Sequence, residues 1–263
     1  MGRFRPPARR TSLIAVAIVV AGGGLAALPA MAASADTAPV STLVTPAGHT
    51  FKASLAPGAS AVFDVGGTTV TCNESGNTGA VPSEPGNTSA DGTVVSPVVD
   101  TTFSNSGGAC PTSFLFTNAT TTTSGPWTIG LQYGASGSQG IMTIPKDGAI
   151  TTVSGFASCV VTVADLGPVS ITGQWTNGTS TTLPTLEFKG EKLHVNVTGS
   201  FGCPTSAVEA DFTAKYVITD TTDPTRMITV GPGLAAPPTS DAPTVGPTGD
   251  PSPTDTPPAD SGA

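Results

Sequence analysis

Charge is scarce in this chain, and positive charge is scarcest. Charged residues make up 11% of the 263 positions, with ten Lys and Arg against eighteen Asp and Glu. Four of the ten, Arg3, Arg5, Arg9 and Arg10, fall within the first ten positions. A nucleic-acid partner requires a positive field, so this composition excludes nucleic acid as a partner and disfavours an anionic membrane surface. Histidine occurs twice, at His49 and His194. A zinc centre needs about three or four converging ligands, and two distant histidines do not supply them. No C-x-x-C, G-x-S-x-G or EF-hand spacing is present, which leaves redox, nucleophile-elbow and calcium-loop chemistry without a signature. Neither a cofactor nor a metal is expected. Aromatic residues are only 5% of the chain, so no exposed stacking platform for sugars is advertised. After residue 28 no apolar run approaches the roughly 18 residues needed to cross a bilayer.

What is present begins with a leader. The basic start is followed by an apolar stretch from Leu13 to Leu28 and by small residues ending Ala33-Ser34-Ala35. That layout is a secretory signal peptide, residues 1–35, with cleavage expected after Ala35 and Ala32 as the second choice. Arg9-Arg10 gives a faint twin-arginine signal that lacks the usual bulky apolar residue at Ser12. The leader holds four basic residues and no acid, so the remainder carries six basic and eighteen acidic residues, a net charge near −12. At the other end, residues 231–263 hold nine prolines and four aspartates with no lysine, arginine or aromatic residue. Such a segment buries too little apolar surface to offset its ordering entropy and is expected to be a disordered tail.

Between them, residues 36–230 read as one all-β domain. Thr, Val and Ile are abundant, Gly and Pro punctuate, and no amphipathic run of helical period exceeds two turns. In 208–218, "VEADFTAKYVI", Val208, Ala210, Phe212, Ala214, Tyr216 and Ile218 share one face and Glu209, Asp211, Thr213 and Lys215 the other. One face buried and one wet marks antiparallel sheet. In "PWTIGLQY", Trp127, Ile129, Leu131 and Tyr133 alternate in the same way. Trp175 falls on one parity with Val169 and Ile171, so both tryptophans are expected in the core. "LEFKGEKLHVNV" is expected to turn near Gly190, with Leu186 and Phe188 inward before it and Leu193, Val195 and Val197 inward after it. Further strands are expected near 51–55, 61–65, 68–73, 97–104, 113–121, 139–145, 149–163 and 167–176. Residues 74–96 are rich in turn formers and are expected to form a long surface loop. About ten to twelve strands imply an antiparallel β-sandwich or a partly closed β-barrel.

The four cysteines are Cys72, Cys110, Cys159 and Cys203. Each leading cysteine ends or opens a Thr/Val strand, and each trailing one opens the same tetrapeptide, Cys-Pro-Thr-Ser, at 110–113 and 203–206. Four cysteines allow three pairings. One unit used twice predicts Cys72–Cys110 and Cys159–Cys203. Pro111 and Pro204 fix φ and bias the preceding cysteine toward extended geometry, as suits a crosslinked corner.

The order of these features is familiar. A leader, a strand ending "VTC", a Gly-Cys turn, the "PWTI" strand and a closing "GCPTSAVEADFTAKYVI" resemble a group of small secreted β-rich proteins of actinobacteria with two cysteine pairs. The resemblance covers about 60–220. It implies a disulfide-bonded exported β domain and no activity, catalytic residue or cofactor.

Remaining candidates for chemistry are sparse. His194 is expected to point outward beside Asn196. Glu187, Glu191, Glu209 and Asp211, and the "DTTD" run at 220–223, are read as solvated charge. The sequence therefore predicts a secreted, non-enzymatic structural or interaction module of the cell surface or extracellular medium, with an unknown protein or cell-envelope partner. Alternatives are a carrier of a small apolar ligand inside a barrel and, last, an exported hydrolase. A cavity of several hundred Å³ lined by Trp127, Tyr133, Phe212 and Tyr216 would favour the carrier.

Overall fold

The computed structural model describes residues 40–90 and 92–233. The expected leader, 1–35, and the tail from 234 onward lie outside the described residues. Every regular element described is a strand: β1 (Thr42–Thr45), β2 (Thr50–Leu55), β3 (Ala61–Val65), β4 (Thr68–Cys72), β5 (Glu74–Ala80), β6 (Thr88–Ser89), β7 (Thr93–Ser104), β8 (Cys110–Pro111), β9 (Thr117–Thr123), β10 (Trp127–Gln132), β11 (Ser138–Ile144), β12 (Ala149–Gly155), β13 (Cys159–Val163), β14 (Val169–Thr176), β15 (Thr185–Gly199), β16 (Glu209–Asp220) and β17 (Thr229–Pro232). The last strand carries the fold to Pro232, past the expected limit at 230, because Pro232 pairs with Thr42 of β1.

Eight strands close into an antiparallel barrel in the order β16-β2-β5-β7-β10-β11-β14-β15, with β15 returning to β16. Sandwich and barrel, both open from the sequence, resolve to the barrel. Full closure leaves no exposed sheet edge. Two long strands form a shared spine. The first half of β15 pairs with β14 and its second half with β13. The last residues of β16 pair with β2 and its first residues with β3. Beyond the barrel the sheet therefore continues through β3 and β4 on one side and through β13, β12, β9 and β8 on the other. These extra strands curl until the edges β4 and β8 meet at the bridge Val70↔Thr112. The Cys72–Cys110 disulfide, with Cα atoms 5.0 Å apart, fastens that seam. Cys159–Cys203, at 5.7 Å, fastens the start of β13 to the loop after β15. Both expected pairings are formed.

Three expectations are corrected here. Residues 74–96 are not a surface loop: β5, β6 and the start of β7 occupy them. The strand β5 escapes an alternation test because the wall is too crowded for side chains. A Cβ on Gly76 would collide with the Ala53 carbonyl, and one on Gly79 would lie 2.5 Å from the Phe51 ring. Nor does the chain reverse at Gly190. β15 is one strand with a bulge between Phe188 and Glu191, where Gly190 supplies a φ of 64°. The inward parity shifts from Leu186 and Phe188 to Leu193, Val195 and Val197, all buried, and a bulge produces that shift as well as a turn does. Third, residues 149–163 are a hairpin, β12 and β13, that turns at 156–158.

The core runs through both parts without a break. Phe212 on β16 stacks within 4.8 Å of Phe63, 5.7 Å of Phe188 and 6.4 Å of Phe103, ring centre to ring centre. Trp127 and Trp175 are buried as expected. The Trp127 indole N–H reaches the Ser124 and Gly148 carbonyls, and that of Trp175 reaches Asn177 Oδ1. The small sheet β17-β1-β6 packs against the barrel, and Ile228 just before β17 lines its interior.

Tyr216 is buried, and its hydroxyl meets Ser75 Oγ at 2.9 Å. Burial pushes its pKa up to about 12, partly opposed by the Ser75 hydrogen bond. The folded state thus holds this proton more tightly than the unfolded chain. The resulting stability is complete below pH about 10 and is lost as pH rises through about 12. In a Tyr133→Phe background, absorbance of the single remaining tyrosinate should rise near pH 12 while the fold persists, and near pH 10 only after denaturation.

Candidate functional site: an uncharged apolar tip

The barrel interior is not a ligand chamber of the size a carrier needs. Its void, lined by residues such as Phe51, Leu131, Met142, Trp175, Phe188 and Tyr216, measures about 30 Å³, near the volume of one water in the liquid. Of the four residues proposed to line a large cavity, only Tyr216 borders this void. Trp127 and Phe212 line a still smaller one of about 10 Å³.

The histidines are held, not free. His49 Nδ1 donates to Asp220 Oδ2 at 2.8 Å, and Asp220 Oδ1 accepts the N–H groups of Thr222 and Asp223 at 2.9 Å. The Asp220 side chain is fully buried, which corrects the reading of that acid as solvated. A buried carboxylate orienting an imidazole is two members of a catalytic triad. Among the described residues no hydroxyl bonds the other ring nitrogen of His49. The His49–Asp220 bond fastens the start of β2 to the end of β16. His194 is similarly paired with Asp165 at 2.7 Å, and Lys146 donates to the Asp165 carbonyl. The outward carboxylates make surface ion pairs, Lys192–Asp211 at 2.6 Å and Lys189–Glu187 at 3.3 Å. Such pairs contribute little. No group of three or more His, Cys, Asp or Glu gathers at metal-binding distance among the described residues.

A polar groove of about 470 Å³ crosses the outer face of β2, β5 and β7. Glu74 there accepts from Ser104 Oγ and from the Gly107 N–H, at 2.9 and 2.8 Å. The Gly107 bond first, then the Ser104 bond, holds its carboxyl below the usual range. These bonds order the turn after β7, and no aromatic side chain lines the groove.

The unusual feature lies at the far end of the extra strands. Three segments meet there: 112–116 between β8 and β9, 156–158 between β12 and β13, and 200–208 between β15 and β16. Leu115 is 74% exposed, Phe116 85%, Phe156 75% and Phe201 91%. Phe114 turns inward to plug the end of the curled sheet, 6.5 Å from the Phe156 ring and beneath Gly202. Ser113, Phe114, Leu115, Phe116 and Phe156 together line a shallow apolar cleft of about 420 Å³. Soluble proteins rarely leave several large apolar side chains together in water without a partner.

The loop conformation is fixed. Thr112 and Thr117 both donate their hydroxyls to the Phe114 carbonyl, at 3.1 and 2.9 Å. Ser113 N–H bonds Thr69 O, and Ser113 Oγ accepts Thr69 N–H. Phe116 is held at φ 58°, a left-handed geometry that costs a residue with a Cβ about 1–2 kcal/mol. A Cβ on Gly155 would strike the Phe116 carbonyl, so the β9 and β12 backbones approach closely there. This corrects the expected strand at 113–121. The strand starts at Thr117, because Phe116 cannot be extended.

No known protein family, curated protein or solved structure matches the chain. The tip must be read from its own chemistry.

Its electrostatics separate it from the rest of the molecule. No charged residue occurs from Thr101 to Pro145, from Gly148 to Ala164, or from Val195 to Val208. Those runs include all three tip segments and the whole of β9, β12 and β13. Row by row the outer face is Thr120-Thr152-Val160-Thr198 and Thr122-Ile150-Thr162-Asn196. No sequence motif marks Leu115, Phe116, Phe156 or Phe201. The available signal was the uncharged runs themselves, which converge only once the sheet curls.

Proposed function

We propose that the protein is exported, loses its leader and works outside the cytoplasm as a non-enzymatic interaction module whose contact surface is the apolar tip. One observation carries this reading: Leu115, Phe116, Phe156 and Phe201 stand in solvent on loops anchored by a disulfide and by side-chain bonds, one of them in a conformation that costs stability. A bulky residue in that conformation has no folding rationale, so it points to contact. The 30 Å³ barrel void favours this reading over the ligand carrier. Two disulfides suit an oxidising compartment, and no helix among the described residues is long and apolar enough to cross a membrane. The resemblance to secreted actinobacterial β proteins rests on the same cysteine pattern and fits export.

Phe116→Gly gives the test. Glycine accepts φ 58° freely, so this variant should match or exceed the wild type in stability, by up to about 1 kcal/mol. Combined with Phe156→Ser it should abolish retention of the protein on envelopes isolated from the producing organism, which the wild type should show. Equal retention of wild type and double variant would refute the tip as contact surface. Intact-mass analysis of the medium checks export: chains should begin at Asp36 and carry no free thiol.

A further inference from the structure

The geometry points to a lipid layer with zwitterionic headgroups as the partner of the tip, entered end-on by Leu115, Phe116, Phe156 and Phe201. This inference rests on the contact reading above and names what is contacted.

Three observations favour lipid over a protein surface. First, the tip is exposed and apolar, with no charged residue in 112–116, 156–158 or 200–208. Charge is costly inside a bilayer, and the apex carries none. Second, the stems of the tip loops bond their backbone within the protein. Phe156 N–H reaches Phe116 O at 3.3 Å and Ser200 N–H reaches Ser158 O at 3.1 Å. Cys203, Thr205 and Ala207 donate to Ser200, Cys203 and Pro204 carbonyls at 3.2, 2.8 and 2.9 Å. The Phe114 carbonyl is bonded by two threonine hydroxyls. Backbone bonding of this kind suits segments that border hydrocarbon. Third, the walls behind the apex carry Thr, Ser and Asn. These pair with phosphate and ester oxygens without needing a net charge.

The charge balance selects the headgroup. The tip has no lysine or arginine, the chain as a whole is acidic, and the charged residues flanking the turn at 66–67 and the end of the 200–208 loop are Asp64 and Glu209. Anionic lipid would repel this molecule, so zwitterionic lipid is the surface it fits.

The full chain purified from culture medium, in flotation with pure phosphatidylcholine vesicles, tests this. The wild type should float. Phe116→Ser/Phe156→Ser should lose at least about tenfold in partition, because burial of these two rings supplies much of the binding. Leu166→Ser should bind as the wild type does; Leu166 is equally exposed but lies outside the tip. All variants should melt within about 2 °C of the wild type, as surface changes do. Replacing a third of the lipid by phosphatidylglycerol should weaken binding, and added salt should restore it. A Phe201→Trp reporter should be quenched by lipids brominated on the acyl chain. Absence of flotation, flotation indifferent to the tip substitutions, or an unquenched reporter would overturn the lipid inference. If envelope retention still depends on Phe116 and Phe156 in that case, the contact reading stands with a protein or glycan partner. If retention is also indifferent, both fall.

Discussion

Truncating Phe212 to alanine should destabilise the fold by about 3–5 kcal/mol, the range for a fully buried aromatic whose site cannot collapse. The reason is its position. Phe212 lies on β16 just where that strand passes from the β2 neighbour to the β3 neighbour, opposite the bulge in β15. Its ring touches Phe63, Phe103 and Phe188, so one side chain joins the closed barrel to the curled extension. Removing it leaves a void beside its three ring neighbours that would enlarge the space of about 10 Å³ now lined by Phe63, Phe103, Trp127 and Leu193. Closed sheet holds those walls apart, so relaxation is limited. Denaturant unfolding of Phe212→Ala should show one cooperative transition at a much lower midpoint. Phe212→Leu, which keeps most of the volume, should recover a large part of the loss. A midpoint unchanged by Phe212→Ala would mean that the two parts do not share this core.

The second large effect is expected at the seam. Cys72→Ala/Cys110→Ala should cost up to about 4 kcal/mol by loop-closure entropy over the 38-residue separation. The location matters more than the sum. β4 and β8 meet through one bridge pair and the Ser113–Thr69 bonds, so the disulfide is their main fastening. Loss of it should free the edges first. Amide exchange in the variant should quicken in 68–72 and 110–113 well before it quickens in β10, β11 and β14, which the closed barrel protects on both edges. Uniform acceleration would show instead that the seam is not a separate weak point.

These expectations also show which parts of the architecture the residue pattern reveals. β16 was legible because Ala210, Phe212, Ala214, Tyr216 and Ile218 are buried in strict alternation, and alternation is what a half-wet strand requires. The cysteine pairing was legible because a repeated tetrapeptide marks a repeated corner. The strand β5 was not, since crowding at Gly76 and Gly79 replaces apolar residues by glycine and removes the periodic signal. The bulge in β15 looks like a turn in the sequence because both devices shift parity by one. The His49–Asp220 pair joins residues 171 positions apart, and no local pattern announces such a contact. The tip was hidden in the same way. "SFLF" at 113–116 reads as the head of a strand, and only the left-handed Phe116 with its threonine anchors turns it into a loop. Phe156 and Phe201 join it from hairpins about 40 and 85 residues further along the chain. Composition along the chain does carry the trace, as charge vanishes from the segments that build this face.

The most direct measurement is oxidative footprinting of the full chain, free and bound to isolated envelopes. If the tip is the contact surface, Leu115, Phe116, Phe156 and Phe201 should be protected on binding while Leu166 is labelled as before. Protection around the groove of Glu74 and Asp100, with the four tip residues still labelled, would contradict the account.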